Sequence, residues 1–372
     1  MTSTKRLAFY GPHMPNIGYG RMFNSLLEEL SKRVTIDQHA EHAVWALQPN
    51  MVKGWFKGQK KTVLTMWETD TLPNKFKDYL PQFDTVIVPC LHNMELFELH
   101  HPNVHVIPLG VDRSVWYPRE HVSDGKFRIF AGGSEWYRKG LDVIVEVFTS
   151  MKLPDCELHL KIPPPHLGAP EVMEWPNVVM HTEWMSLEEE VDLVTSCDLF
   201  VSASRGEGFG LMPLQAMSAG VPTVLTDMTG HREFSDLAVH RVGGTLGPSR
   251  ITNWETIGRW FEPNRDELAD AIRDVYDNRE KAKRLALKRA PETAAFNWAT
   301  AADQFLQIMK PSDRTVEPVK VPAGEIEVPI RVNRRVVADI GKYHVDLVPG
   351  RVHHVFLNVR DVLAESGYLL EE

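Results

Sequence analysis

Along the chain, short runs of β-branched and aliphatic residues alternate with stretches whose apolar positions return every three or four residues. Runs of the first kind predict strands at LAFY (7–10), AVWAL (43–47), TVLTMW (62–67), TVIVP (85–89) and VHVIP (104–108). Phe23, Leu26, Leu27 and Leu30 follow the i, i+3, i+4, i+7 spacing of one helix face, directly after a glycine-bearing loop at 11–21. No such periodicity crosses YPREHVSDGK (117–126), which marks a boundary. The rhythm then restarts, with strands at RIFAGG (128–133), LHLKI (158–162), VVM (178–180), LFVSA (199–203) and TVLT (223–226). Leu141, Ile144, Val145 and Phe148 mark one helix face in this part, and Leu268, Ala271, Ile272 and Val275 another. Strands alternating with helices predict the α/β class, with two Rossmann-like doubly wound halves facing a cleft at 1–120 and 121–295.

A closing helix follows at 296–310, with Trp298, Ala301, Ala302, Phe305 and Ile308 on one stripe. Residues 311–324 hold three prolines and mixed charge, a linker composition. EIEVPIRVN, RVVADIG, HVDLV and VHHVFLN then alternate as strands do, with a short helix expected at 360–367. The appendage at 311–372 therefore reads as small and β-rich.

Composition narrows the class. A chain of 372 residues exceeds what one core usually fills, and no apolar run approaches the roughly 20 residues of a membrane span. Lys5-Arg6 is followed by only about four apolar residues before Gly11-Pro12, too few for a secretory signal, so a cytoplasmic location is expected. Cys90, Cys156 and Cys197 are widely spaced and odd in number, which predicts buried thiols rather than disulfides or a zinc site. The net charge of −9 provides no global attraction to a phosphate backbone. Local basic runs at 57–61 and 331–335 read as a nucleic-acid groove or, more commonly, as solvated loops.

In open α/β sheets ligands bind beyond the carboxyl ends of the strands, so the loops there carry the chemistry. The first holds Gly18 and Gly20 before a helix, suited to a phosphate or sugar contact or simply to a tight turn. In the second, Arg138 and Lys139 stand at a helix mouth, where two cations oppose the dipole unless an anion joins them; a solvated pair is the other reading. The third, SASRGEGFGLMPLQAMSAGVPTVLTD (202–227), joins a strand end to an acidic glycine loop and a helix entry. There amides suit a diphosphate, and Glu207 suits sugar hydroxyls.

These motifs resemble the retaining, family four glycosyltransferases of the GT-B fold over about residues 1–310. The likeness is carried by EGFGLMPLQAMSAGVP (207–222), RKGLD (138–142), PLGVD (108–112), Phe261-Glu262-Pro263 and Trp298. It implies transfer of a sugar from a nucleotide-diphosphate sugar to an acceptor hydroxyl with retention. Lys139, Arg138 and Glu207 would be the catalytic groups. Gly18, Gly20, Gly208, Phe209, Gly210, Leu211 and Gln215 would bind the donor, as would Trp184 and Met185. Asn16, Tyr19, Trp67 and Glu68 would lie on the acceptor side, with helix capping by Thr69 or Asp70 as the alternative for that loop.

Two positions depart from the pattern: Gln215 replaces a second glutamate, and Ser134 replaces an arginine. Both leave room for another reading, a catalytically impaired protein serving as a binding or scaffold subunit. An oxidoreductase is disfavoured because the first loop lacks GxGxxG. No two aspartates stand two apart, so neither a metal nor any other cofactor is expected beyond the nucleotide-sugar co-substrate. His100-His101 and His353-His354 lack further ligands at zinc spacing and read as exposed. The acceptor expected is a protein, a glycan or a modified DNA base, and the tail weakly resembles segments of bacteriophage-encoded proteins.

Overall fold

The computed structural model describes residues 5–14, 18–52, 55, 58–120, 124–163, 170, 174–249 and 257–315, and strands at 327–330, 336–340, 343–347 and 353–356. The first half is built from β1 (Arg6–Tyr10), α1 (Gly18–Ser31), β2 (Thr35–Ile36), β3 (His42–Ala46), β4 (Lys60–Leu64), α2 (Asn74–Tyr79), β5 (Thr85–Val88), α3 (Leu91–Phe97) and β6 (Val104–Val106). Its six strands lie parallel in the order β2-β1-β3-β4-β5-β6.

The second half comprises β7 (Phe127–Gly132), α4 (Leu141–Met151), β8 (Cys156–Lys161), β9 (Val178–His181), α5 (Leu187–Thr195), β10 (Leu199–Ser202), α6 (Leu211–Ser218), β11 (Thr223–Thr226) and β12 (His240–Val242). These strands are also parallel, ordered β12-β11-β10-β7-β8-β9. The order reverses between β7 and β10, so the loops after these two strands diverge and leave a crevice at their carboxyl ends. An antiparallel pair, β13 (Gly244–Pro248) and β14 (Arg259–Pro263), precedes α7 (Arg265–Asp277) and α8 (Arg279–Arg289).

The runs read as strands in the two halves all form strands, mostly ending earlier than the sequence suggests. TVLTMW stops as a strand at Leu64, which leaves Met66 and Trp67 in the following loop. Gly18 and Gly20 lie inside the first turn of α1 rather than before it. The β13–β14 pair lacks the β-branched alternation of a strand, and its pairing replaces that signal: Gly244 sits where a Cβ would come 2.2 Å from the Glu262 carbonyl oxygen. The three cysteines are free and buried, as expected.

The last described helix, α9 (Trp298–Met309), returns to the first half. Asn297 caps it, its Oδ1 accepting from the Ala299 and Thr300 amides. Trp298, Ala301, Ala302, Phe305 and Met309 are buried, with Met309 rather than the half-buried Ile308 completing the stripe. They join Phe23, Leu26 and Leu30 of α1 in one core that also takes in Phe130, Phe200 and Leu214 of the second half. Residues 311–315, read as linker, instead run along the first sheet: Ser312 O accepts from the Arg6 amide at 2.9 Å, and Ala40 forms a bridge with Thr315. The two chain crossings between halves touch, with the Val111 amide donating to Phe296 O at 3.0 Å.

In the appendage, β15 (Glu327–Ile330) pairs antiparallel with β18 (His353–Phe356), and β16 (Val336–Ile340) with β17 (Tyr343–Leu347). The helix expected at 360–367 and the basic run at 331–335 lie outside the described residues, as does Lys57. No described helix is long and apolar enough to cross a membrane.

Candidate active site

The reversal point of the second sheet gathers the charged groups. After β7 the chain turns through Gly132-Gly133 and reaches α4, whose N-cap Gly140 has φ +64°. A Cβ at Gly140 would stand 1.9 Å from the Ala203 carbonyl oxygen, so only glycine lets this turn lie against the loop after β10. Arg138 and Lys139 are thereby carried to Glu207. Lys139 Nζ donates to Glu207 Oε1 at 2.6 Å, Ser204 Oγ donates to the same oxygen at 2.7 Å, and Arg138 Nη1 lies 3.5 Å from Oε2. The Glu207 amide donates to Thr229 Oγ1.

Burial works to raise the Glu207 pKa, but Lys139 and Arg138 outweigh it and hold the carboxyl well below the usual range. Arg138 also grips Glu135 with two hydrogen bonds, and burial there is likewise outweighed by the guanidinium. The anion that two cations at a helix mouth require is thus supplied within the chain by Glu135 and Glu207.

The loop is held from behind by Arg205, which sequence reading did not single out. Only 4% exposed, its side chain forks onto both Asp142 oxygens, reaches Glu262 and Tyr137 O, and lies over the Trp260 ring. Its backbone is pinned on both sides, the amide donating to Arg138 O and the carbonyl accepting from the Phe261 amide.

The first half meets this loop directly. A Cβ at Gly206 would stand 2.1 Å from the Glu68 carbonyl oxygen, and one at Gly208 would stand 2.4 Å from Met66 Sδ. Gly208 therefore admits the facing half, and its carbonyl accepts from Cys90 Sγ and Asn93 Nδ2. Gly210, with φ +103°, caps α6, beside the His231 ring.

Phe209, expected at the donor, is a core residue among Phe234 and Phe296, so only its backbone reaches the site. Trp67, expected on the acceptor side, is likewise buried against Phe76, its Nε1 donating to Thr69 Oγ1. Neither Thr69 nor Asp70 caps a helix: Pro73 precedes α2, and Asp70 pairs with Arg259 of β14. Of that loop, Glu68 is the side chain the site receives. Half-buried, it is pushed up to about 7 by burial, with Arg138 opposing and Glu135 and Glu207 adding to the rise.

Tyr19 ties α1 to the same loop, its hydroxyl accepting from the Met66 amide and lying 3.3 Å from Thr65 Oγ1. Gly18 opens α1, and Gly20 backs onto Met14 O, 1.7 Å from where a Cβ would be. Asn16 lies outside the described residues. Leu211 starts α6, half-buried against the core. Gln215, on the next turn, is 8% exposed, and its Oε1 has no hydrogen-bond partner among the described residues. Trp184 and Met185 follow β9, separated from β7 by β8, with the Trp184 ring exposed.

His231 is a second residue missed in the sequence, although it lies in a loop after a strand of this sheet. It is fully buried, and burial lowers its pKa although Glu207 works the other way. Its Nδ1 lies 3.0 Å from Thr226 O, which assigns the proton there and leaves Nε2 an acceptor with no partner among the described residues. His101, read as exposed, is buried between Phe83 O and Asn103 O. Among the described residues no three His, Cys, Asp or Glu side chains are grouped to hold a metal ion.

A family model for the family 4 glycosyltransferases in conflict systems, GT4-conflict, matches residues 89–305, more than half of the chain. The chain belongs to this family. The matched region of this GT4-conflict protein contains Arg138, Lys139, Glu207 and Gln215. Mannosylfructose-phosphate synthase of Agrobacterium fabrum is 26% identical over 251 residues, 61% of this chain and 51% of the synthase. The GT4-conflict chain thus spans about half the length of the curated relatives it matches.

Among solved structures, sucrose-phosphate synthase from Thermosynechococcus elongatus superposes with a TM-score of 0.61 at 14% identity, covering 82% of this chain and 98% of that one. Anabaena Alr3699/HepE, solved in complex with UDP and glucose, gives 0.59 at 13% identity, covering 82% and 99%. Both likenesses show the GT-B arrangement of two Rossmann-like halves.

Proposed function

We propose that this chain transfers a sugar from a nucleoside-diphosphate sugar to an acceptor hydroxyl, keeping the anomeric configuration and using protein cations instead of a metal. The observation that carries this reading is the convergence of Arg138, Lys139 and the buried Glu207 at the reversal point of the second sheet, facing the Glu68 loop of the first. Charge that develops on a departing diphosphate is stabilised most by donors already in place and shielded from water. Lys139, Arg138 and the amides opening α6 are such donors. The orphan Oε1 of Gln215 suits a ribose hydroxyl, since a buried acceptor without a donor costs about 1–3 kcal/mol. Family membership and the UDP and glucose found in Alr3699/HepE support a nucleotide-sugar donor. Glu207 then orients the sugar, while Glu68 faces the incoming hydroxyl of a protein, glycan or modified DNA base. With these groups supplying the chemistry, a cytoplasmic enzyme needs no cofactor beyond its donor.

The test is hydrolysis and thermal stabilisation by UDP-, GDP-, ADP- and TDP-sugars, with Lys139→Ala and Glu207→Ala alongside. One donor is expected to stabilise the protein and to turn over, and each variant to lose about 100- to 1000-fold in turnover. Absence of any shift or turnover across the panel would sink the enzyme reading.

A further inference from the structure

The diglycine turn after β7 lies between the stems of two lysines. A Cβ on Gly133 would stand 2.4 Å from Lys139 Cγ, and one on Gly132 would stand 3.1 Å from Lys161 Cβ and 3.4 Å from Met212 Cε in the first turn of α6. Lys161 ends β8, in register with Gly132, and its carbonyl accepts from the Gly133 amide at 2.9 Å. Each lysine rests on a buried carboxylate, Lys139 on Glu207 and Lys161 on Glu190 of α5. Glu190 is 0% exposed, and both of its oxygens are already gripped by the guanidinium of Arg21, which reaches across from the first turns of α1.

An ammonium carries three N–H donors. Among the described residues Lys161 gives one to Glu190 Oε2, while its side chain is only 7% exposed. The other two are shut away from bulk water at the junction of the two halves, where an unmatched donor is costly. Burial lowers the Lys161 pKa and Glu190 works to restore it.

We infer that Lys161 is a third cationic contact for the diphosphate of the donor, beside Lys139 and Arg138, aimed by the Arg21–Glu190 pair. The inference rests on the donor reading above. Two lysines flanking one glycine turn supply two cations for the two phosphates of a nucleoside diphosphate, and the missing side chains at Gly132 and Gly133 let both lysine stems lie against that turn. Arg21 stands one residue beyond Gly20, so its grip on Glu190 also holds the start of α1 toward the same place.

The test is calorimetric titration of the full chain with UDP, GDP, ADP and TDP, each beside its nucleoside. Lys161→Met is expected to weaken the preferred nucleoside diphosphate about tenfold or more while leaving the nucleoside unchanged. Glu190→Gln keeps an oxygen to aim the ammonium but removes the competing charge, so it is expected to raise the preference for diphosphate over nucleoside. If the cluster only ties the halves together, Glu190→Gln lowers that preference or leaves it unchanged, and Lys161→Met affects diphosphate and nucleoside alike; either result overturns the inference. If Lys161→Met does not fold, the sign of the Glu190→Gln change decides alone. A wild-type chain that binds none of the four diphosphates overturns the donor reading, and this inference with it.

Discussion

Two carboxyl groups on facing loops are driven in opposite directions. Lys139 and Arg138 keep Glu207 ionised against its burial, whereas burial brings Glu68 up to about 7, above the ordinary glutamate value of 4.5. Because the folded value of Glu68 exceeds the unfolded one, the folded state holds the extra proton. Stability from the neutral carboxyl is complete below about pH 4.5 and is lost as pH rises through about 7. Glu68→Gln, neutral throughout, is therefore expected to gain in thermal midpoint over wild type between about pH 5 and about pH 8. Parallel curves for the two proteins would refute this. Glu207 and Lys139 were legible in the sequence because each lies in a glycine-rich loop after a strand. Lys161 was not, since within LHLKI it looks like the polar member of an alternating strand; α5 and α1, remote in sequence, bury it.

The loop after β10 owes its place to three elements at once. Arg205 joins it to the start of α4 through Asp142 and to β14 through Glu262. Replacing Arg205 by Met is expected to cost on the order of 3 kcal/mol, the low end for a broken buried pair because both carboxylates keep some contact with water. Turnover should fall with donor contacts otherwise intact. Denaturant unfolding and donor hydrolysis measure the two effects, and a variant as stable as wild type would show that the loop is held without this clamp. The RKGLD, SRGEGFG and FEP segments were each readable as motifs, but that one arginine ties them together was not. Spacing reports on neighbours along a helix or strand, and this contact joins residues more than fifty positions apart. The β13–β14 pair escaped for a related reason: its glycines and prolines weaken the local strand signal, and the pairing of the two strands supplies what local preference lacks.

At the scale of the molecule, the glycine of PLGVD and the tryptophan opening α9 explain each other. A Cβ on Gly110 would stand 2.4 Å from the Trp298 backbone nitrogen and 2.7 Å from its ring. Gly110→Ala is expected to cost about 1–3 kcal/mol through overpacking, seen as a lower thermal midpoint. An unchanged midpoint would mean that the crossing yields easily. The alternation of strands and helices made both halves visible in the sequence, but α9 returning to α1 was not visible, because an apolar stripe does not say which partner will cover it. That return means the chain passes between the halves twice along one edge, with the Val111 amide and Phe296 carbonyl stitching the passes together. A single tether leaves two bodies free to swivel. A doubled, stitched one behaves like the spine of a book: it resists twist and shear and leaves opening about that edge as the soft motion. The groups that meet a donor are therefore brought back to the same facing positions each time the covers shut.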